Sequence, residues 1–304
     1  MFKLFAKKQT IYAFIASFIW GTAFVAQSVG AESVLPLTFN TARSFVASIM
    51  LLLITFIVSL IRKRSVAPKT KTNYKKLVLG GFLCGLFLTI ATALQQTGLA
   101  DTSAGKAGFI TALYIVIVPI FGIFLKKKAP LSVWISVIIA VFGLYFLCVK
   151  EGFEIVSSDF LLISCAAMFA IQILLIDHFV QSVDAIHLSL VEFITSTVLS
   201  GLGMLFFEKI DISAVLGAAM PILYLGIFSS GIAYTLQMMA QKDSNPTVIS
   251  IIMSLESVFS VLAGAVILGD KMSIKEYLGC ILMMIAVMLS QIPPQKFKLK
   301  KKTL

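Results

Sequence analysis

Charged side chains are what this sequence has least of: 13% of its 304 residues, against 59% hydrophobic. A soluble domain carries about a quarter of its residues as charges, so this chain has too few to cover a water-facing surface. Histidine is almost absent. The two present, His178 and His187, lack the spacing of a helical metalloprotease motif. No glycine-rich phosphate loop occurs, which removes direct use of ATP, and no Ser–His–Asp set falls at a common depth. An enzyme is therefore not expected. The four cysteines, Cys84, Cys148, Cys165 and Cys280, all lie in apolar runs without metal-ligand spacing. They read as small hydrophobes, and no metal or other cofactor is expected. Rings of charge of the kind that select ions in channels are missing too.

Long apolar runs are plentiful. About 20 such residues suffice to cross the hydrocarbon of a bilayer. The sequence offers ten of these stretches: Ile11–Val29, Leu37–Ile61, Leu77–Thr97, Lys106–Leu125, Val133–Val149, Phe160–Ile176, His187–Phe207, Val215–Met239, Thr247–Leu268 and Ile274–Gln291. The first follows lysines as a signal peptide would, but it is longer than a usual signal core and has a repeat partner, so it is kept as a span. The expected fold is an all-α membrane protein of ten transmembrane helices.

The net charge of +11 does not point to nucleic acid, because the basic residues cluster between the runs. One side of the membrane receives Lys3, Lys7, Lys8, the cluster from Arg62 to Lys76, Lys126, Lys127, Lys128, Lys242 and the tail from Lys296 to Lys302. The other receives only Lys106, Lys150, Lys209, Lys271 and Lys275, with Arg43 inside a span. This asymmetry places both termini in the cytoplasm and the chain in the cytoplasmic membrane. The connection from Asp177 to Asp184 has no Lys or Arg and adds nothing. The basic loop and tail serve topology first, with contact to anionic lipid as a second reading. Small-molecule substrate and membrane lipids are the expected partners, and a homodimer stays open.

The two halves of the chain resemble each other. Asp101-Thr102-Ser103-Ala104 leads to Ala112-Leu113-Tyr114, and Asp243-Ser244-Asn245-Pro246 leads to Ser254-Leu255-Glu256 at one constant spacing. Gly122 corresponds to Gly264, and the turn before Leu131-Ser132 to that before Ser273. Near the start of each half, Ala16 to Ala23 pairs loosely with Ser164 to Ile171. A repeat of five spans must sit upside down relative to its twin. Two inverted five-helix repeats are thus expected, over residues 1–150 and 151–293, followed by a basic cytoplasmic tail at 294–304. Inverted repeats are the architecture of secondary transporters, where they open a central site to either side in turn.

The sequence also resembles the EamA-like branch of the drug/metabolite transporter superfamily over nearly its whole length. The marks are Phe18-Ile19-Trp20-Gly21-Thr22, Arg43, the stretch from Gln95 to Ala104, Pro119, Gly231-Ile232-Ala233-Tyr234, Ser254-Leu255-Glu256-Ser257-Val258-Phe259 and Leu268-Gly269-Asp270. The family usually has Pro after that Glu and Glu at the place of Asp270. Here Ser257 and Asp270 stand instead, so a bend at Ser257 lacks its proline. The resemblance implies a central cavity between the halves and movement of small polar or amphipathic metabolites, often as export. Drug or lipid-precursor transport and a non-transporting scaffold are the alternatives.

An ionisable side chain at mid-membrane costs about 2.5–3.5 kcal/mol on insertion scales and asks for a reason. Glu256 lies at mid-depth and reads as a substrate contact or a proton carrier, or else as a hydrogen-bond tie between helices. Arg43 reads as a structural group holding helices together, in preference to an anion site. Glu192 is expected to reach the cytoplasmic interface and remain solvated. Tyr234, Gln237 and Gln241 form one helical stripe. With Trp20, Gln27, Gln95, Gln96 and Gln172 they should face the bundle, since an amide in lipid goes unsatisfied. The expected cavity wall is Trp20, Gln95, Tyr114, Gln172, Tyr234, Gln237 and Glu256, supplied by helices one, three, four, six, eight and nine. Pro119 is expected to bend its helix.

Overall fold

The computed structural model describes residues 8–31, 33–64, 73–99, 104–127, 129–149, 156–263, 265–266 and 272–292. Asp101, Gly264, Asp270, Lys271 and the tail 294–304, all singled out above, fall outside that set. Among the described residues every regular element is helical.

The first half runs α1 (Lys8–Ala31), α2 (Pro36–Arg64), α3 (Tyr74–Gly98), α4 (Ala104–Ala112), α5 (Tyr114–Phe124) and α6 (Leu131–Cys148). The second runs α7 (Ser157–Val180), α8 (Ala185–Phe207), α9 (Ile212–Gly217) and α10 (Ala219–Tyr224). A π-helical stretch (Leu225–Ala233) follows, then α11 (Tyr234–Gln241), α12 (Pro246–Met253), α13 (Glu256–Ala263) and α14 (Ile274–Ser290). Eight stretches among the described residues are long and apolar enough to cross a bilayer. This is a multi-pass membrane protein. Its outward side chains agree: Phe56 is 61% exposed and Phe124 80%, which only a lipid solvent tolerates on this scale.

Local sequence explains most helix starts. Asn73 accepts from the Lys76 amide, Asp184 from those of Ile186 and His187, and Asn245 from that of Thr247 just ahead of Pro246. Ser273 and Glu276 close a reciprocal capping box on α14. Glu208, just past α8, caps a helix of the other half: its carboxylate accepts from the amides of Leu37 and Thr38 and from the Thr38 hydroxyl, each at 2.7 Å.

The architecture is duplicated. Exchanging α1 with α7, α2 with α8, α3 with the π-helix and α11, α4–α5 with α12–α13, and α6 with α14 maps the packed pairs onto one another. The packing of α3 on α7 answers that of α1 on α11, and that of α1 on α13 answers that of α5 on α7. Two pairs, α2 with α8 and α6 with α14, map onto themselves. At the α6–α14 crossing the two helices lie in close contact. A Cβ on Gly143 would meet the Met283 backbone nitrogen at 3.1 Å, and one on Gly279 that of Leu147 at 2.9 Å. Glycine is required at both, because backbone touches backbone.

Three expected single spans are interrupted. The fourth breaks at Leu113, the ninth at Ser254–Leu255, and the eighth passes through nine π-helical residues. Uniformly apolar sequence carries no mark of such breaks, which is why periodicity alone gave one helix each. Leu268, the expected end of the ninth span, is outside the described residues.

A candidate cavity between the two halves

The breaks place two polar side chains. At Leu113 the ladder tightens to i→i−3 bonds, from the Leu113 amide to Ile110 at 3.2 Å and from Val116 to Leu113 at 2.9 Å. At the second break Leu255 bonds to Ile252 at 3.1 Å and Ser257 to Ser254 at 3.2 Å. Tyr114 and Glu256 are each the first residue after a break, 142 positions apart, and the Tyr114 hydroxyl donates to Glu256 Oε1 at 3.5 Å. The bend at the ninth span therefore exists without the proline the resemblance would have put at 257. Discontinuous helices at mid-membrane are where transporters build their sites.

Around this pair lies a cavity of about 610 Å³, solvent at its mouth included. Trp20, Gln95, Tyr114, Gln172, Tyr234, Gln237 and Glu256 all line it. Trp20 stands edge-on to Tyr234, ring centroids 4.9 Å apart, and its indole N–H donates to the Ser229 carbonyl at 3.3 Å. Gln27 also lines the wall, and its amide donates to Gln95 at 3.3 Å and to Gln96 at 3.0 Å. Gln241, the last of the stripe, sits past the cavity and donates to the Ile173 carbonyl at 2.8 Å. Pro119 lies inside α5, where it leaves the Ile115 carbonyl without its helical donor.

The wall repeats itself. Gln95 and Gln237, Thr111 and Met253, and Tyr114 and Glu256 all line it at the one spacing of 142. Nearer the start of each half the spacing is 149: Trp20 answers Phe169 and Ala23 answers Gln172. The Ser48 and Thr197 hydroxyls meet at 3.2 Å at that same spacing. The loose match of Ala16–Ala23 to Ser164–Ile171 was thus one residue out of register. Thr111 and Ser229 line the wall too, and only Thr111 carried a signal in the sequence. Thr111 is one turn before Tyr114 on the same face, and Ser229 lies in the π-helical stretch, whose shifted register hides the face it presents.

Two charged residues add to or depart from the expected arrangement. Arg43, expected to tie helices, lines the cavity, so helix two contributes to the wall as well. Among the described residues it has no ion-pair partner. Glu192, expected at a solvated interface, is 0% exposed, and its Oε1 accepts from Gln172 Nε2 at 2.8 Å. The helix starts at Ala185 and not His187, which moves Glu192 deeper, and its face of α8 packs on α3. No cluster of His, Cys, Asp and Glu among the described residues is fit to hold a metal.

The family model for EamA-like transporters matches twice, over residues 7–149 and 156–291. The chain belongs to the EamA-like transporter family. This family is part of the drug/metabolite transporter superfamily. An uncharacterized transporter of Archaeoglobus fulgidus is 28% identical over 281 residues, covering 90% of this chain and 83% of that one. The uncharacterized transporter YwfM of Bacillus subtilis is 26% identical over 301 residues, 95% of each chain. A solved crystal structure superposes with a TM-score of 0.78 at 17% identity, over 96% of this EamA-like chain and 99% of its own; this likeness concerns the fold alone. The protein is a membrane transporter.

Proposed function

We propose that this chain is a secondary transporter that exports small amphipathic metabolites, amino acids foremost, across the cytoplasmic membrane by alternating access. The observation that carries the reading is the repeat-paired wall. Residues at equivalent places in both halves converge on one cavity beside two broken helices. A site shared by two interchangeable halves can open to one side and then the other.

The polar inventory favours a solute charged at both ends. Arg43 offers a fork of donors. The wall also carries the Glu256 carboxylate and two glutamines, Gln172 and Gln237, whose amide oxygens have no hydrogen-bond partner among the described residues. Trp20 and Tyr114 have already committed their donors to the protein. A carboxylate would go to Arg43 and an ammonium to the acceptors, with aromatic wall between. Glu256 carries a proton in exchange for the solute.

The end where α1 begins is the cytoplasmic one, by the basic residues gathered there. In this reading the contacts that close it are Gln241 on Ile173, Gln181 reaching the Gln241 carbonyl at 3.4 Å, and the Lys127–Asp177 ion pair. Export follows the habit of the family. The test is counterflow in proteoliposomes with a panel of labelled amino acids. Saturable, mutually competitive exchange supports the reading. No exchange of any amino acid above protein-free liposomes ends it.

A further inference from the structure

The eighth span holds one residue more than its twin. On α3, a Cβ at Gly85 would meet the Glu192 carbonyl oxygen at 2.5 Å and the Thr195 Cβ at 2.6 Å. In the other half, one at Gly226 would meet the Arg43 carbonyl oxygen at 3.0 Å and the Val46 Cβ at 2.6 Å. Arg43 and Val46 stand to Glu192 and Thr195 at the spacing of 149 that marks the early part of the repeat. Gly85 and Gly226 are therefore equivalent, and they lie 141 residues apart. Gln95 and Gln237, both on the cavity wall, keep the later spacing of 142. The extra residue thus falls between Gly226 and Gln237. The π-helical stretch Leu225–Ala233 is where the chain holds it, while α3 is α-helical throughout. Such a bulge is an α-helix with its ladder shifted from i→i+4 to i→i+5 bonds by one inserted residue.

The insertion decides which face the rest of the span turns to the cavity, since one residue is about 100° of an α-helix. Held where it is, it brings Tyr234 and Gln237 to the wall and Gln241 to the Ile173 carbonyl, 2.8 Å away. Passed beyond Gln241, it would put Ala233, Leu236 and Ala240 at those three places. The route is open. No proline interrupts residues 225–241, so each amide along it can exchange one carbonyl for the next. Pro221 bounds the stretch on the other side. Helix α11 ends at Gln241, and the turn after it, where Asp243 has a φ of 58°, can take up a residue. The cavity wall also touches the bulge, because Trp20 donates its indole N–H to the Ser229 carbonyl inside it.

We infer that the extra residue travels along the eighth span during transport, rolling Tyr234 and Gln237 away from the solute and Gln241 away from Ile173 in one motion. Release of the solute and opening of the α1-start end are then the same event. Besides the Gln241 bond, the roll breaks that from the Thr235 hydroxyl to Ser189 at 3.0 Å. Rigid rocking of the halves would instead keep one face of this span on the cavity throughout. The inference rests on alternating access, as proposed above, but not on the identity of the solute.

Leu236 stands off the wall, so it reports the roll. In the full-length protein with the four native cysteines replaced, Leu236→Cys and Thr111→Cys are exposed separately to impermeant maleimide in right-side-out and inside-out vesicles. Thr111→Cys should label from both faces. Leu236→Cys should label from the cytoplasmic face about tenfold faster than from the outer one. Deleting Phe228, an outward-facing residue of the bulge, leaves between Gly226 and Gln237 the same step that α3 has between Gly85 and Gln95. With no residue to pass on, the deletion should slow cytoplasmic labelling of Thr111→Cys about tenfold and leave outer labelling unchanged. Three results overturn the inference while Thr111→Cys labels from both faces: no cytoplasmic labelling of Leu236→Cys, equal labelling of it from the two faces, or a Phe228 deletion that changes neither rate. Should the shortened chain not purify, Leu236→Cys carries the test alone. Labelling of Thr111→Cys from one face only removes the alternating-access reading, and this inference with it.

Discussion

The Tyr114 hydroxyl and the Glu256 carboxylate meet at 3.5 Å although 142 residues separate them, and each opens the second piece of a broken helix. Their meeting joins the two halves at the centre of the cavity. If Glu256 exchanges a proton there, Glu256→Gln should abolish transport driven by a pH gradient while leaving solute-for-solute counterflow. Tyr114→Phe, which loses one long hydrogen bond, should cost less, a few-fold in rate. Flux measured with and without a pH gradient separates the two. A Glu256→Gln protein with full pH-driven flux removes the proton role.

Backbone contact between helices sets a second expectation. Gly85 has no room for a Cβ, with the Glu192 carbonyl 2.5 Å and the Thr195 Cβ 2.6 Å away, whereas Gly108 meets nothing within 4 Å. Gly85→Ala should destabilise by about 1–3 kcal/mol through overpacking. Gly108→Ala should be neutral or stabilise by up to about 1 kcal/mol through helix propensity. Thermal unfolding in detergent gives the order, and equal melting temperatures for the two variants would count against the close crossing of α3 and α8.

Glu208 holds the start of α2 with three hydrogen bonds of 2.7 Å. Removing a carboxylate cap costs about 0.5–2 kcal/mol. Glu208→Ala should lower the melting temperature by several degrees, and Glu208→Gln, which keeps only part of the acceptor capacity, by less. A Glu208→Ala protein as stable as the parent would mean the α2 start finds other acceptors.

Closure at the α1-start end makes a fourth expectation. Gln241→Leu removes the bond to the Ile173 carbonyl and leaves the Gln181 bond to the backbone oxygen at 241 in place. A cysteine placed at 237 should then react faster with a membrane-impermeant maleimide from that side. Unchanged labelling would assign the closure to other contacts.

Much of this was legible in the sequence because lipid enforces simple rules. Amides and charges in apolar runs must turn inward, so Gln95, Gln172 and Gln237 identified themselves. The repeat brought Tyr114 together with Glu256. What stayed hidden depends on backbone detail. The breaks at Leu113 and Ser254–Leu255 and the π-helix from Leu225 to Ala233 have no composition of their own. Glu192 was misplaced because its depth turns on two residues at the start of α8 and on Gly81 and Gly85 of a distant helix. Spacing within one span cannot supply contacts from another. That Arg43 lines the cavity was hidden for the same reason, since its face is set by the π-helix that packs on α2.

The most direct test of the central claim is two-sided accessibility of the shared cavity. A single cysteine at Thr111, in a background with the four native cysteines replaced, is exposed to impermeant maleimide in right-side-out and inside-out vesicles. Alternating access predicts labelling from both faces, slowed from each by a transported solute. Labelling from one face only, unchanged by any solute tried, would contradict it.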